Sequence, residues 1–150
     1  MKNFSIAIHG GAGTLVKGMM TPELEAQYKA ALQSALNRGY AILEKGGSAI
    51  EAVEKAVVIL EDSPLFNAGK GSVFTATESH EMDASIMDGK TLNAGAVSLI
   101  IGIKNPVSLA RDVMEKSEQN WITFTLIDEQ FRLCLVLYAR NIDPEQPSVE

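Results

Sequence analysis

The chain has 150 residues, 46% of them hydrophobic, a usual length for one globular domain with enough apolar side chains for a core. Its formal net charge is -6 and its Lys and Arg are scattered, which excludes the clustered cationic surface that neutralises nucleic-acid phosphates. One cysteine, Cys134, cannot close an internal disulfide, so the cytoplasm is the expected compartment.

In chain order, Phe4 to Ile8 is a short apolar run closed by Gly10, Gly11 and Gly13, the pattern of a buried strand feeding a tight loop. Thr21-Pro22-Glu23 predicts a helix N-terminus, with Thr as cap, Pro at the first position and acid in the first turn. Leu24, Tyr28, Ala31, Leu32, Ala35, Leu36 and Leu43 follow at helical spacing, Gly39 is a point of weakness, and Gly46-Gly47 ends the run. Ser48 and Glu51 form a capping-box pattern ahead of a second amphipathic helix carrying Ile50, Val53, Ala56, Val57 and Leu60.

Beyond these helices, Leu60 to Gly71 gathers Pro64, Asn67, Gly69 and Gly71 into one loop. Ser72 to Thr75, Glu81 to Met87 and Leu92 to Ile103 read as strands, with Asp88-Gly89 as a hairpin signal. Asn105-Pro106 opens a short helix through Met114. The tail differs in composition: all 12 glycines lie at or before Gly102. Within it, Trp121 to Ile127 and Phe131 to Leu137 read as a second hairpin before a polar, disordered end, so the chain divides into 1–117 and 118–150. The apolar run before His9 is too short for a signal-peptide core, and Ala94 to Ile103 is half of the about 20 residues that a membrane-spanning helix needs. No membrane anchor is expected.

The glycine-rich turn after the first strand invites a phosphate-binding reading, but Val16 stands where the dinucleotide fingerprint needs glycine, and Met19-Met20 follow Gly18 where a nucleotide loop needs Lys and Ser or Thr. His9-Gly10-Gly11 is also compatible with an esterase oxyanion turn, yet no Gly-x-Ser-x-Gly elbow accompanies it. His80, Glu81 and Asp83 lack the spacing of a zinc or calcium motif, and neighbours on a strand point to opposite faces. Glu81, Asp83 and Asp88 read more simply as satisfied polar groups beside a turn than as an acid–base set. Cys134, in Leu133-Cys134-Leu135, has the apolar setting of an inert buried thiol.

Taken in their joint order, several motifs resemble the plant-type asparaginase or isoaspartyl peptidase family of N-terminal-nucleophile (Ntn) hydrolases. They are His9-Gly10-Gly11-Ala12-Gly13, Pro64-Leu65-Phe66-Asn67-Ala68-Gly69-x-Gly71, His80-Glu81-Met82-Asp83-Ala84 with Met87-Asp88-Gly89, Ala94-Gly95-Ala96-Val97, and Asn105-Pro106 followed by Ala110-Arg111-x-Val113-Met114-Glu115. The resemblance runs to about Ser117 and covers the N-terminal, α-subunit region. It implies an α+β fold, the N-terminal half of an αββα sandwich made from both parts of a self-processed precursor. It implies hydrolysis of L-asparagine and β-aspartyl peptides by a Thr at the start of the β subunit, with His9, Gly10, Gly11 and Asn67 in support. It also implies a sodium or similar monovalent ion held by the backbone carbonyls of Leu60, Glu61, Ser63, Phe66, Ala68 and Lys70, no organic cofactor, and a dimer of αβ units.

Two features depart from that pattern. Thr14 follows a glycine but lies in the first loop and is not followed by Val-Gly-Ala, so it reads as a turn residue and the chain has no recognisable nucleophile. After Ser117 the expected Gly-Glu-Gly-Ala turn is missing. Both are consistent with a truncated or frame-shifted copy that is inactive alone. The rival reading is a non-catalytic relative acting as a ligand- or partner-binding module.

Overall fold

A computed structural model describes residues 3–11, 20–117, 121–123 and 137–141. The chain is a mixed α+β structure. Strand β1 (Phe4–Ile8) alternates half-buried and exposed positions, so Phe4, Ile6 and Ile8 share one face. Helix α1 (Pro22–Glu44) starts where Thr21 Oγ1 accepts the Leu24 N–H at 3.2 Å, and an exposed Glu25–Lys29 pair lies on its first turns. It ends in a Schellman motif: Gly46, at φ 84°, donates to Leu43 O and Gly47 donates to Ile42 O.

Gly39 does not close α1, which runs through it. Its buried face is the narrow row Ala35, Gly39 and Leu43. A methyl group on Gly39 would sit 2.4 Å from Ile6 Cδ1 and 3.1 Å from the Ala52 carbonyl oxygen, so the missing side chain lets β1 and the second helix close on α1.

That second helix, α2 (Ala49–Glu61), begins where Ser48 Oγ accepts the Glu51 N–H at 3.2 Å. It buries Ala52, Val53, Glu54, Ala56, Val57, Leu60 and Glu61, far more than one stripe. One apolar cluster joins Ala56 and Leu60 to Ala35 of α1 and to Phe66. The other joins Val53 and Val57 to strands β2 (Met82–Met87) and β3 (Ala94–Ile100) and to helix α3 (Pro106–Lys116), through Ile86, Val97, Ile100, Val107, Ala110 and Val113. Helix α2 therefore lies between two cores.

Strands β2 and β3 pair antiparallel, and the hairpin appears where Asp88-Gly89 marked it. The turn is longer than a two-residue one. Asp88 N–H donates to Asn93 O, Leu92 N–H donates to Asp88 O, and Leu92 takes φ 61°. The register shifts between Met82 and Ala84, opposite Leu99 at φ 57°. Asp83 Oδ1 holds this bulge by accepting from Ser98 Oγ at 2.6 Å and from Leu99 N–H at 2.8 Å.

Strand β4 (Trp121–Thr123) pairs parallel with β3, and β5 (Leu137–Asn141) pairs antiparallel with β1. The two described ends of the tail thus join different sheets; 124–136, where the expected hairpin would turn, lie outside the described residues, as do Thr14 and Cys134. No helix among the described residues is long and apolar enough to cross a membrane.

The run Ser72 to Thr75, expected as a strand, is not one. Its backbone donors are taken locally: Asn67 Oδ1 accepts from Val73 N–H at 2.9 Å, Gly69 O from Ser72 N–H at 3.1 Å and Ser79 O from Thr75 N–H at 2.8 Å, while the hydroxyls of Thr75, Thr77 and Ser79 hydrogen-bond one another. Such local bonds compete directly with a strand ladder.

Where α3 crosses β3, the contact is backbone on backbone. A methyl group on buried Gly95 would sit 2.1 Å from Ala110 O and 2.6 Å from Met114 N, neither of which can rotate away. Gly95→Ala is expected to lower unfolding free energy by about 3 kcal/mol, measured by urea denaturation; an unchanged midpoint would contradict this packing.

Candidate functional site around the Leu60–Gly71 loop

The segment after α2 is closed by its own backbone: Ser63 N–H donates to Leu60 O, Ala68 N–H to Phe66 O, and Gly71 N–H to Ala68 O. Phe66, 3% exposed, anchors it in the α1–α2 cluster and meets Tyr28 edge-on, with ring centroids 5.6 Å apart. Asn67 on the rim is exposed, and its Oδ1 ties the loop to Val73.

Both glycines here are required by space. A methyl group on Gly69, at φ 56°, would lie 2.4 Å from Glu61 O, and one on Gly71 would lie 2.2 Å from Phe66 O and 2.8 Å from Pro64 O. Main-chain oxygens therefore crowd the positions that side chains at 69 and 71 would fill. Among the described residues, the carbonyls of Glu61, Ser63 and Lys70 accept no hydrogen bond, whereas those of Leu60, Phe66 and Ala68 close the turns, Leu60 O taking both the Asp62 and the Ser63 N–H. Neutral carbonyl oxygens are the donors that suit a hard monovalent cation.

The turn after β1 meets this loop. His9 Nδ1 accepts the Gly11 N–H at 3.1 Å, and Gly11 has φ 101°. A methyl group on Gly10 would lie 3.1 Å from Leu32 Cδ2 and 3.2 Å from Phe66 Cε1. Two of the segments singled out in the sequence, His9-Gly10-Gly11 and Phe66-Asn67, are thus packed side by side.

Of the other candidates, His80 borders the loop through Ser72, whose Oγ donates to Gly69 O at 2.8 Å, and the acids do not join it. His80 Nδ1 lies 3.2 Å from Ser72 Oγ and its ring leans on Phe74. Glu81 accepts from Ser79 Oγ, Asp83 holds the bulge, and Asp88 takes Lys90 N–H and Thr91 Oγ1 in the hairpin turn, so all three are satisfied polar groups. Among the described residues no three His, Cys, Asp or Glu side chains come together as a metal cluster.

Sequence reasoning placed Glu61 in the loop by its carbonyl and missed its side chain. Glu54 and Glu61, seven residues apart on α2, are its two buried acids. Burial works to raise the Glu54 carboxyl, but hydrogen bonds from Ser108, Arg111 and Lys55 outweigh it and hold the group below the usual range. Glu61 has weaker help. Its Oε1 accepts the Val107 N–H at 3.0 Å, and its buried Oε2 has no hydrogen-bond partner. Burial first, with the charges of Asp62 and Glu54, outweighs the Val107 bond and the pull of the Asn105 amide, whose Nδ2 bonds Asp62, and pushes Glu61 from 4.5 up to about 7. A detectable signal was there: Glu51 belongs to the first turn of α2, whereas Glu54 and Glu61 bracket the apolar run Ala56 to Leu60.

The sequence model of a family described as Asparaginase matches residues 2–131. The chain belongs to the asparaginase family. It is 52% identical over 118 residues to an isoaspartyl peptidase/L-asparaginase of Xenopus laevis, covering 79% of this chain and 37% of the relative. To an isoaspartyl peptidase of Escherichia coli it is 51% identical over 112 residues, 75% of this chain and 35% of that one. To a plant-type L-asparaginase of Pyrococcus furiosus it is 53% identical over 114 residues, 76% and 36%. The chain thus spans little more than a third of the length of these family members.

Two predictions follow from this geometry. Gly71→Ala is expected to lower stability by about 2 kcal/mol, because the loop must open to admit a methyl group, while Gly89→Ala, with nothing within 4 Å, is expected to change nothing; urea denaturation of the pair checks the contrast. For Glu54, the depressed pKa contributes stability that is present above the usual carboxylate range and is lost as pH falls through the folded-state value. Glu54→Gln is therefore expected to be less stable than the parent by about 2 kcal/mol at pH 7, with the gap shrinking as the solution is acidified; a gap independent of pH would contradict the assignment.

Proposed function

We propose that this chain supplies the N-terminal part of a Thr-dependent hydrolase of L-asparagine and β-aspartyl peptides, and that it is inactive until a Thr-bearing C-terminal subunit joins it. The observation that carries this reading is the packing of His9-Gly10-Gly11 against Phe66, beside Asn67. Family resemblance gives both segments a supporting role around the nucleophile. The relatives' names, isoaspartyl peptidase and L-asparaginase, support the substrate class. None of the threonines in this chain is followed by Val-Gly-Ala.

In this reading, the partner's free α-amino group takes the proton of its own Thr hydroxyl, and the oxygen attacks the side-chain carbonyl. Ammonia or the peptide amine leaves with a proton, and water then frees aspartate from the ester. The present chain holds the nucleophile's surroundings in shape and touches no reacting bond. The partner completes an αββα sandwich, and two such αβ units form a dimer. Val73, Phe74 and Met87, each more than half exposed, offer apolar surface for such a partner to cover. Sodium or a similar ion is held by the carbonyls of Leu60, Glu61, Ser63, Phe66, Ala68 and Lys70, where it orders the loop, and no organic cofactor takes part.

The test is release of aspartate from L-asparagine and from a β-aspartyl dipeptide. The 150-residue chain alone is expected to give none, and activity is expected when a separately produced C-terminal segment of a relative, beginning at its Thr, is added. Release by the chain alone would overturn the proposed inactivity. Failure of the segment to bind or to restore activity would turn the reading toward a non-catalytic module.

A further inference from the structure

Residues 61 and 62 are joined to residues 104–107 by three separate contacts. Glu61 Oε1 accepts the Val107 N–H at 3.0 Å, Asp62 Oδ1 accepts from Asn105 Nδ2 at 3.2 Å, and Lys104 Nζ lies 2.9 Å from Asp62 Oδ1. The second is part-buried, and the third is an exposed ion pair, individually weak. The first is buried, and it does unusual duty. Asn105 occupies the N-cap position of α3 yet makes no capping bond, so the Val107 N–H, one of the helix's orphan donors, is taken by a carboxyl from α2.

The same residue has its main chain in the loop. The Glu61 carbonyl faces Gly69 across a gap that a methyl group would close, and it accepts no hydrogen bond among the described residues. Capping requires only one carboxyl oxygen, and a Gln would serve. Here Oε2 is buried without a partner, the charges that act on the carboxyl are those of the acids Asp62 and Glu54, and no cation pairs with it among the described residues. A buried acid in such company is costly unless positive charge comes close.

We propose that Glu61 is a positioning residue that ties the cation loop to the start of α3: the ion that orders the Leu60–Lys70 carbonyls also fixes the Glu61 side chain, and through it the first turn of α3. This rests on the cation reading above. The two ends of the coupling are one residue's carbonyl and its carboxyl, so no longer chain of contacts is needed. Positive charge at the loop also relieves the one buried acid among the described residues whose second oxygen has no partner.

The test is amide hydrogen exchange of the 150-residue chain in sodium chloride and in tetramethylammonium chloride at equal ionic strength. With sodium at ten times its dissociation constant, the Ser63, Ala68 and Gly71 amides are expected to slow by about tenfold, and the Val107 amide by a similar factor. The Lys90 amide, bonded to the Asp88 carboxylate in the hairpin turn, serves as a control and is expected to be unaffected. In Glu61→Ala the loop amides should still respond and Val107 should not, whereas Glu61→Gln, which keeps an accepting oxygen, should restore the Val107 response. Loop amides indifferent to sodium would overturn the cation reading and the coupling with it. A responsive loop with a silent Val107 in the parent chain would overturn the coupling alone, as would a Val107 response that survives Glu61→Ala. The parent-chain measurement decides even if the Ala variant does not fold.

Discussion

The architecture depends on α2 being packed on two sides at once. Val53 and Val57 face the β2–β3–α3 cluster, Ala56 and Leu60 face α1 and Phe66, and a helix of 13 residues serves both cores. A surface helix gains from one apolar stripe. This one has almost no free circumference for polar groups, which explains why its two inward acids, Glu54 and Glu61, are buried. It also explains why small residues recur around it, since α1 approaches through Ala35 and Gly39 and meets Ala52 and Ala56.

The two buried acids follow opposite courses on the same helix. Glu54 is surrounded by donors: Arg111 Nη1 at 2.8 Å, Ser108 Oγ at 2.7 Å and Lys55 Nζ at 3.3 Å. Its charge is retained, and it joins α2 to α3 along their length. Glu61, at the helix end, has one strong donor and two acidic neighbours. A buried carboxyl with an unpaired oxygen adds nothing to stability, so its place is better explained by what it connects. It connects a glycine-shaped loop to a helix start, next to the turn following β1. The loop, the turn and the helix start all depend on where α2 stops.

Much of this was legible locally. The caps of α1 and α2 at Thr21 and Ser48, the Schellman end at Gly46-Gly47 and the hairpin at Asp88 all follow from short-range hydrogen-bonding chemistry that the residues themselves carry. Where sequence and structure part, a non-local neighbour or a competing side chain is responsible. Gly39 reads as a helix breaker until β1 and α2 are seen to need its space. Ser72 to Thr75 has strand composition, but Asn67 and the hydroxyls of Thr77 and Ser79 bond to it first. The end strands β4 and β5 lie on β3 and β1, partners that no local pattern in the tail could name.

Of the candidate site, the sequence by itself determined which segments carry the family's motifs. His9-Gly10-Gly11 and Pro64 to Gly71 are unusual enough in composition, and spaced closely enough to the family pattern, to be recognised from residues alone. Only the tertiary structure decided that Gly10 meets Phe66, that main-chain oxygens of Glu61, Pro64 and Phe66 crowd Gly69 and Gly71, and that the Glu61 carboxyl lies against the first turn of α3. The reason is physical. Motif identity is a property of neighbouring residues in the chain, whereas burial of a charge and the approach of one segment to another depend on which faces of α2 are covered, and that is set by long-range packing.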